Sequence, residues 1–281
     1  MQIIGEPSQM QRVAEEARRA GKSIGCVPTM GALHEGHLSL LRRSRAENDL
    51  VVMTLFVNPI QFDRTDDLAR YPRDLDRDAR LAGEAGVDII YSPGVDEMYP
   101  DGFATYVTIE GLADRWEGAT RPGHFRGVAT VCTKLFTACR PHRAYFGQKD
   151  YQQSLVVRRL VADLNLGFEI VVLPTMREAG GLALSSRNVL LSAEERRQAS
   201  VLSRSLSVAQ AAVKRGERDA EKVRAGIEAQ IRTAPLAVVD YVAVCDPDTL
   251  EALTRIAVRA VALVAVRFGA TRLIDNVLLS D

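Results

Sequence analysis

Short unbroken apolar runs punctuate the first half of the chain, and amphipathic stretches separate them. Residues 23–29 and 50–57 are nearly continuous in apolar side chains, the pattern of strands covered on both faces of a parallel sheet. Shorter runs at 87–91, 144–146 and 168–173 predict further strands. Between them, helical spacing predicts helices over 9–20, with Ser8 as N-cap and Gly21 as terminator, then over 36–46, 74–85, 124–139 and 151–163. Apolar strands alternating with helices make βαβ units. The expected fold is therefore α/β: a Rossmann-like, doubly wound parallel sheet over residues 1–175. After Ser192 the pattern changes. Two long helical stretches, 192–215 and 219–233, precede strand-like runs at 238–245 and 261–268, which predicts a smaller C-terminal α+β domain over 176–281. Neither an internal repeat nor a low-complexity segment interrupts this order.

Composition narrows the classes. With 281 residues, 47% hydrophobic and 26% charged, the chain has room for one large or two smaller domains at roughly 150 residues each. Lysine plus arginine (36) equals aspartate plus glutamate (36), so the basic excess of a dedicated nucleic-acid binder is missing. The four cysteines, Cys26, Cys132, Cys139 and Cys245, form no C-x-x-C pair, which argues against a zinc ribbon or disulfide framework. The first residues lack a basic-then-apolar leader, and the apolar run 261–266 is bounded by Arg259 and Arg267, far short of the roughly 20 residues that span a bilayer. The expectation is a cytoplasmic protein with reduced thiols and neither a nucleic-acid nor a membrane partner.

Ligands of open parallel sheets bind at the carboxyl ends of strands, near helix N-termini, and four segments fall there. After the first predicted strand come Met30, Gly31, Ala32, Leu33, His34, Glu35, Gly36 and His37. This places two of the chain's four histidines three residues apart, on one side of a starting helix. Imidazoles suit a polyphosphate as donors and as charge compensators; the plainer alternative is that one of them caps the helix. Neither the dinucleotide nor the Walker glycine pattern occurs at the strand–helix junctions. Asn58 and Gln61 end the next strand, neutral amides suited to a small acid bearing hydroxyls. Gly147, Gln148, Lys149 and Asp150 end a third strand, with Gln153 one turn into the following helix; Lys149 offers a point charge for phosphate. Finally, two glycines precede Leu184, Ser185, Ser186 and Arg187, the makings of a phosphate-binding loop.

Taken together, these segments resemble the pantothenate synthetase (pantoate–β-alanine ligase) family. The resemblance spans nearly the whole chain and includes 27–38, 56–62, 71–73 with Asp78, 121–128, 144–153, 174–188 and 271–276. It implies a nucleotidyltransferase-type fold with the smaller C-terminal domain as a lid, a homodimer, and ATP with Mg2+, pantoate and β-alanine as partners. It also implies a reaction: pantoate and ATP give pantoyl adenylate and pyrophosphate, and the amine of β-alanine then yields pantothenate and AMP. Carried over position by position, residues 30–37 line the ATP site, with His34 and His37 on the phosphates and His37 the proton donor. Gln61 and Gln153 hold pantoate, Gln61 also placing β-alanine. Asp150 serves the ribose and Lys149 the phosphates; Met176 and 184–187 complete the nucleotide site, and Asp78 belongs to the magnesium environment. Two departures stand out. Arg187 occupies a loop that carries lysines in related nucleotidyltransferases, and Arg77 precedes Asp78 where some members have a second acidic residue. The residues alone leave two other readings open, an adenylyltransferase that stops at the adenylated product and a non-catalytic nucleotide-binding module.

Overall fold

The computed structural model describes residues 1–63 and 65–280. They separate into two compact units. The first comprises Met1–Ala113, Arg121–Gln148 and Gln153–Pro174; the second comprises Asp114–Thr120, Lys149–Gln152 and the chain from Thr175 onward. No single cut in the chain divides them, because two short segments that precede residue 175 fold with the second.

The first unit is built on a sheet of six parallel strands: β1 (Gln2–Ile4), β2 (Ile24–Thr29), β3 (Leu50–Leu55), β4 (Ile89–Tyr91), β5 (Arg143–Gly147) and β6 (Glu169–Leu173), in spatial order β1-β4-β3-β2-β5-β6. This is the doubly wound arrangement expected. Period-two alternation divides the strand residues between two cores. Val52, Ile89, Tyr91, Ala144 and Phe146 face the helices Pro7–Arg19, His124–Cys139 and Tyr151–Asp163. Val51, Met53, Ile90 and Tyr145 pack with Leu40, Leu41 and Ala82 from the helices Glu35–Glu47 and Leu75–Glu84. Ile24, Cys26, Val27, Val51, Val52 and Met53 are all fully buried, and each large aliphatic side chain among them contributes about 1.5–3 kcal/mol.

Chain order reverses between β2 and β5, so the crevice at the carboxyl end of these two strands is the switch point where such sheets bind ligands. Pro28 widens it. The β2–β5 ladder pairs Gly25 with Arg143 and Cys26 with Ala144 and goes no further, since a proline has no N–H to continue it.

The second unit carries an antiparallel sheet, β7 (Ala237–Cys245), β8 (Arg259–Phe268) and β9 (Thr271–Ser280), in that spatial order. The helices Val201–Lys214 and Ala220–Ile231 cover one face, packing Leu202, Leu206, Val223 and Ile227 against Val242, Val264 and Val266.

Local differences from the sequence reading have identifiable causes. The first helix begins at Pro7, with Glu6 as its N-cap, because proline's fixed φ and missing N–H suit the first helical position; Ser8 does not cap it. The stretch 192–215 is two helices, Ala193–Ala199 and Val201–Lys214, meeting at Ser200. Strands β1 and β9 were absent from the reading. Among the described residues, no helix is long and apolar enough to cross a membrane.

Candidate active site

The loop that follows β2 is shaped by an anchor beneath it. Gly31 and Ala32 both adopt positive φ, +86° and +52°, which aims the next two amides at one point. Asp78 occupies that point: its carboxylate accepts Ala32 N–H at 2.7 Å and Leu33 N–H at 2.8 Å, and the residue is 1% exposed. Arg77 lies 3.4 Å from the same carboxylate and donates to Leu33 O at 3.0 Å. A Cβ on Gly31 would meet Asp78 Oδ2 at 2.9 Å. Leu33 is buried in the core below.

This anchor delivers the two histidines to the N-terminus of the helix Glu35–Glu47. His34 is its N-cap: Nδ1 accepts Gly36 N–H at 3.1 Å, and His37 Nδ1 accepts His34 N–H at 3.4 Å, a reciprocal capping box. The rings stand 4.1 Å apart between centroids, tilted by 35°. Helix capping by His34, the plainer alternative, is thus real. A ring that accepts at Nδ1 carries its proton at Nε2 in the neutral form, so capping fixes both rings as Nε2 donors beside the positive end of a helix dipole. Glu35 is exposed and pairs with Arg42 of the same helix.

At the end of β3, Asn58 (1% exposed) and Gln61 (8% exposed) lie in a hydrogen-bonded chain. Tyr99 Oη donates to Asn58 Oδ1 at 2.7 Å, Asn58 Nδ2 donates to Gln61 Oε1 at 2.9 Å and to Gly127 O at 3.1 Å, and Gln61 Nε2 reaches Met30 Sδ at 3.2 Å. Burial pushes the Tyr99 hydroxyl well above its ordinary range, which keeps it a donor. His124 Nδ1 lies 2.9 Å from Gln61 O, and Arg121 pairs with Asp63 at 3.2 Å. Tyr99 and His124, which the sequence reading gave no role, are therefore supports of the expected pantoate residue. His124 was legible only as the start of a helix, and Tyr99 lies in a stretch without periodicity.

Gly147 ends β5 at the switch point and Gln148 opens the 3-10 turn that follows; a Cβ on Gly147 would have no heavy atom within 4 Å. Gln153 lies half-buried in the first turn of the next helix. The remaining expected residues belong to the second unit. Lys149 Nζ is 3.3 Å from Asp150 Oδ1, with the side chains 19% and 46% exposed. Met176 O accepts Leu184 N–H at 2.9 Å, pairing two positions eight residues apart. Ser185 Oγ accepts Arg187 N–H at 3.2 Å and caps the short 3-10 segment Ser186–Leu190, in which Ser186 and Arg187 are half-buried. The structure thus groups His34, His37, Asn58, Gln61 and Asp78 in one unit and Lys149, Asp150, Met176 and Leu184–Arg187 in the other.

Residues 2–278 match the family model described as pantoate–β-alanine ligase. The chain belongs to the pantoate–β-alanine ligase family. It is 54% identical over 279 residues to the pantothenate synthetase of Moorella thermoacetica, covering 99% of each chain, and 53% identical over 281 residues to that of Pelotomaculum thermopropionicum, covering 100% of each. Among solved structures, pantothenate synthetase from Thermus thermophilus superposes with TM-score 0.94 at 48% identity and full coverage of both chains. The Francisella tularensis pantoate–β-alanine ligase, solved with β,γ-ATP and β-alanine, gives TM-score 0.80 at 33% identity, covering 99% of this chain and 97% of that one. The chain is a ligase of this family, whose members join pantoate to β-alanine.

Family membership suggests a metal that accompanies the nucleotide. Among the described residues, no group of three or more histidine, cysteine, aspartate or glutamate side chains is placed to hold a metal ion. Asp78, the carboxylate expected near magnesium, uses both oxygens on loop amides and has Arg77 beside it. Magnesium is usually held by one or two carboxylates together with substrate phosphates and water. A buried carboxylate already engaged by two N–H groups does not fit that use.

Proposed function

We propose that the chain condenses pantoate with β-alanine at the expense of ATP, through an enzyme-bound pantoyl adenylate. A pantoate carboxylate oxygen attacks the α-phosphorus of ATP; the bond to the bridging oxygen breaks and pyrophosphate leaves. The neutral amine of β-alanine then attacks the acyl carbon, the carbon–oxygen bond to AMP breaks, and the amine proton passes to water. Neither step needs a nucleophilic side chain. Both need alignment and compensation of negative charge.

The observation that carries this reading is the imidazole pair held by its own capping box at a helix N-terminus, on a loop anchored by Asp78. Donors fixed at Nε2 suit phosphate oxygens: the Nε2–H groups of His34 and His37 hydrogen-bond the triphosphate and compensate the charge that develops on the departing pyrophosphate, with no proton transferred, since a ring whose Nδ1 accepts His34 N–H would be left an imidazolate. Gln61 and Gln153 bind pantoate, a role that neutral amides fit because they can both accept from hydroxyls and donate to a carboxylate. Lys149 and Arg187 act on the phosphates, and Asp150 on the ribose. The test is incubation with ATP, magnesium, pantoate and β-alanine, each omitted in turn, with product masses recorded. The expected products are pantothenate, AMP and pyrophosphate with all components present, and pyrophosphate release without amide when β-alanine is omitted. Transfer of an adenylyl group to a product that persists in the presence of β-alanine would contradict it.

A further inference from the structure

Residues 271–276 carry part of the family resemblance, yet none of their side chains has a place in the chemistry proposed above. They lie on β9, where successive side chains point to opposite faces of the sheet. Leu273 and Leu279 join the apolar core on one face, and Asp275 stands in the same row, 3% exposed. Its carboxylate takes Arg177 in a two-pronged pair, Nη1 to Oδ2 at 2.6 Å and Nη2 to Oδ1 at 2.9 Å. Arg177 follows Met176, bridges to Ala183 and donates to Gly181 O at 3.1 Å.

On the opposite face Asn276, also 3% exposed, donates from Nδ2 to Lys149 O at 2.9 Å. Arg272 lies in the same row and grips both oxygens of Glu117 at 2.7 and 2.8 Å. Glu117 N–H in turn donates to Gln152 Oε1 at 3.1 Å, and Gln152 Nε2 donates to Arg115 O at 2.8 Å. The segment Lys149–Gln152 is therefore held at its first residue by Asn276 and at its last through Arg272. All of these residues belong to the second unit.

We infer that Asp275 and Asn276 are positioning residues for nucleotide handling: Asp275 fixes the segment from Met176 to Leu184, and Asn276 fixes the main chain that presents Lys149 and Asp150. The inference rests on the nucleotide roles proposed above. Its physical basis is that well-packed apolar pairs would serve stability as well or better at buried positions, whereas directional bonds set the place of a backbone. Misplacement of a positioning group by about 1 Å can cost about 10²-fold in rate.

The experiment compares Asn276→Asp, Asn276→Ser and Asp275→Asn with the wild type in pyrophosphate release and in ATP binding by calorimetry. The expected result is a fall of about 10–100-fold in kcat/KM for ATP and weaker ATP binding, with KM for β-alanine unchanged within about twofold. Asp275→Asn and Arg177→Lys should each show the loss, and the double variant should be no worse than either alone. ATP kinetics and binding within about twofold of wild type, in variants folded by circular dichroism, would overturn the inference. So would an equal rise in KM for all three substrates accompanied by a lowered Tm, the mark of a merely structural role; Asn276→Ser keeps the test open if Asn276→Asp does not fold. A wild-type protein that binds ATP without releasing pyrophosphate would defeat the proposed reaction instead, and the binding comparison among variants would still decide the role of Asp275 and Asn276.

Discussion

At the residue scale, the site depends on how a few backbone amides are satisfied. His34 and His37 each use Nδ1 on a main-chain N–H, and this defines which nitrogen of each ring is a donor. His37→Ala is expected to slow adenylate formation by about 10²–10³-fold, the usual range for a lost preorganised donor to developing charge, as measured by pyrophosphate release with circular dichroism to verify the fold. Asp78 acts one layer further down. Asp78→Asn keeps the size but only one acceptor oxygen, so one of the two amides at Ala32 and Leu33 loses its partner at about 1–3 kcal/mol. The expected outcome is a lower Tm and lower activity that raised magnesium does not restore; recovery with magnesium would instead mark Asp78 as a metal ligand. The sequence exposed the histidines, because two in one loop, three residues apart and separated by a glycine, are conspicuous. It did not expose the job of Asp78, since an anchor 45 residues away from the amide it holds leaves no trace in local spacing.

At the element scale, the amide pair Asn58 and Gln61 is placed by the helix His124–Cys139. Gly127 allows the approach: a Cβ there would lie 2.6 Å from Ile60 O and 2.7 Å from Gln61 Cα. Gly127→Ala should therefore displace the turn Pro59–Gln61 and raise KM for pantoate about tenfold or more, with a smaller change for ATP; steady-state kinetics with each substrate varied is the measurement. A second consequence concerns His142 at the start of β5, whose Nδ1 accepts Ile24 N–H at 2.9 Å. Burial and the nearby guanidinium groups of Arg18 and Arg143 lower its pKa. The unfolded chain then binds more protons below about pH 6.5, so stability falls as pH drops through that value toward the lowered one. His142→Asn, which retains an acceptor, should show a smaller fall in Tm between about pH 7.5 and about pH 5 than the wild type does. Much at this scale was legible. The helices His124–Cys139 and Tyr151–Asp163 lie where periodicity put them, and the buried strands follow their apolar runs. β1 was not, because only Ile4 of its three residues is buried, and pairing with β4 rather than a pattern of its own makes it a strand. β9 was hidden because Asp275 interrupts its apolar row and Arg272 and Asn276 stand in the other, polar side chains that are held by partners distant in sequence.

At the scale of the whole molecule, apolar runs alternating with helical stretches predict a doubly wound α/β fold, and the sheet order with its reversal between β2 and β5 bears out that class. The division into units could not be read from a linear sequence. Asp114–Thr120 and Lys149–Gln152 join the second unit through partners that lie roughly a hundred or more residues away, among them Leu250 O for Trp116 Nε1, Pro247 O for Tyr151 and Asn276 for Lys149. The central claim is that pantoate is activated by its own carboxylate attacking the α-phosphorus of ATP. It is tested most directly with pantoate labelled with 18O in the carboxylate, the products being resolved by mass spectrometry. The account predicts one labelled oxygen in AMP and none in pyrophosphate or inorganic phosphate; label in inorganic phosphate, the sign of attack at the γ-phosphorus, or its full retention in pantothenate, would contradict it.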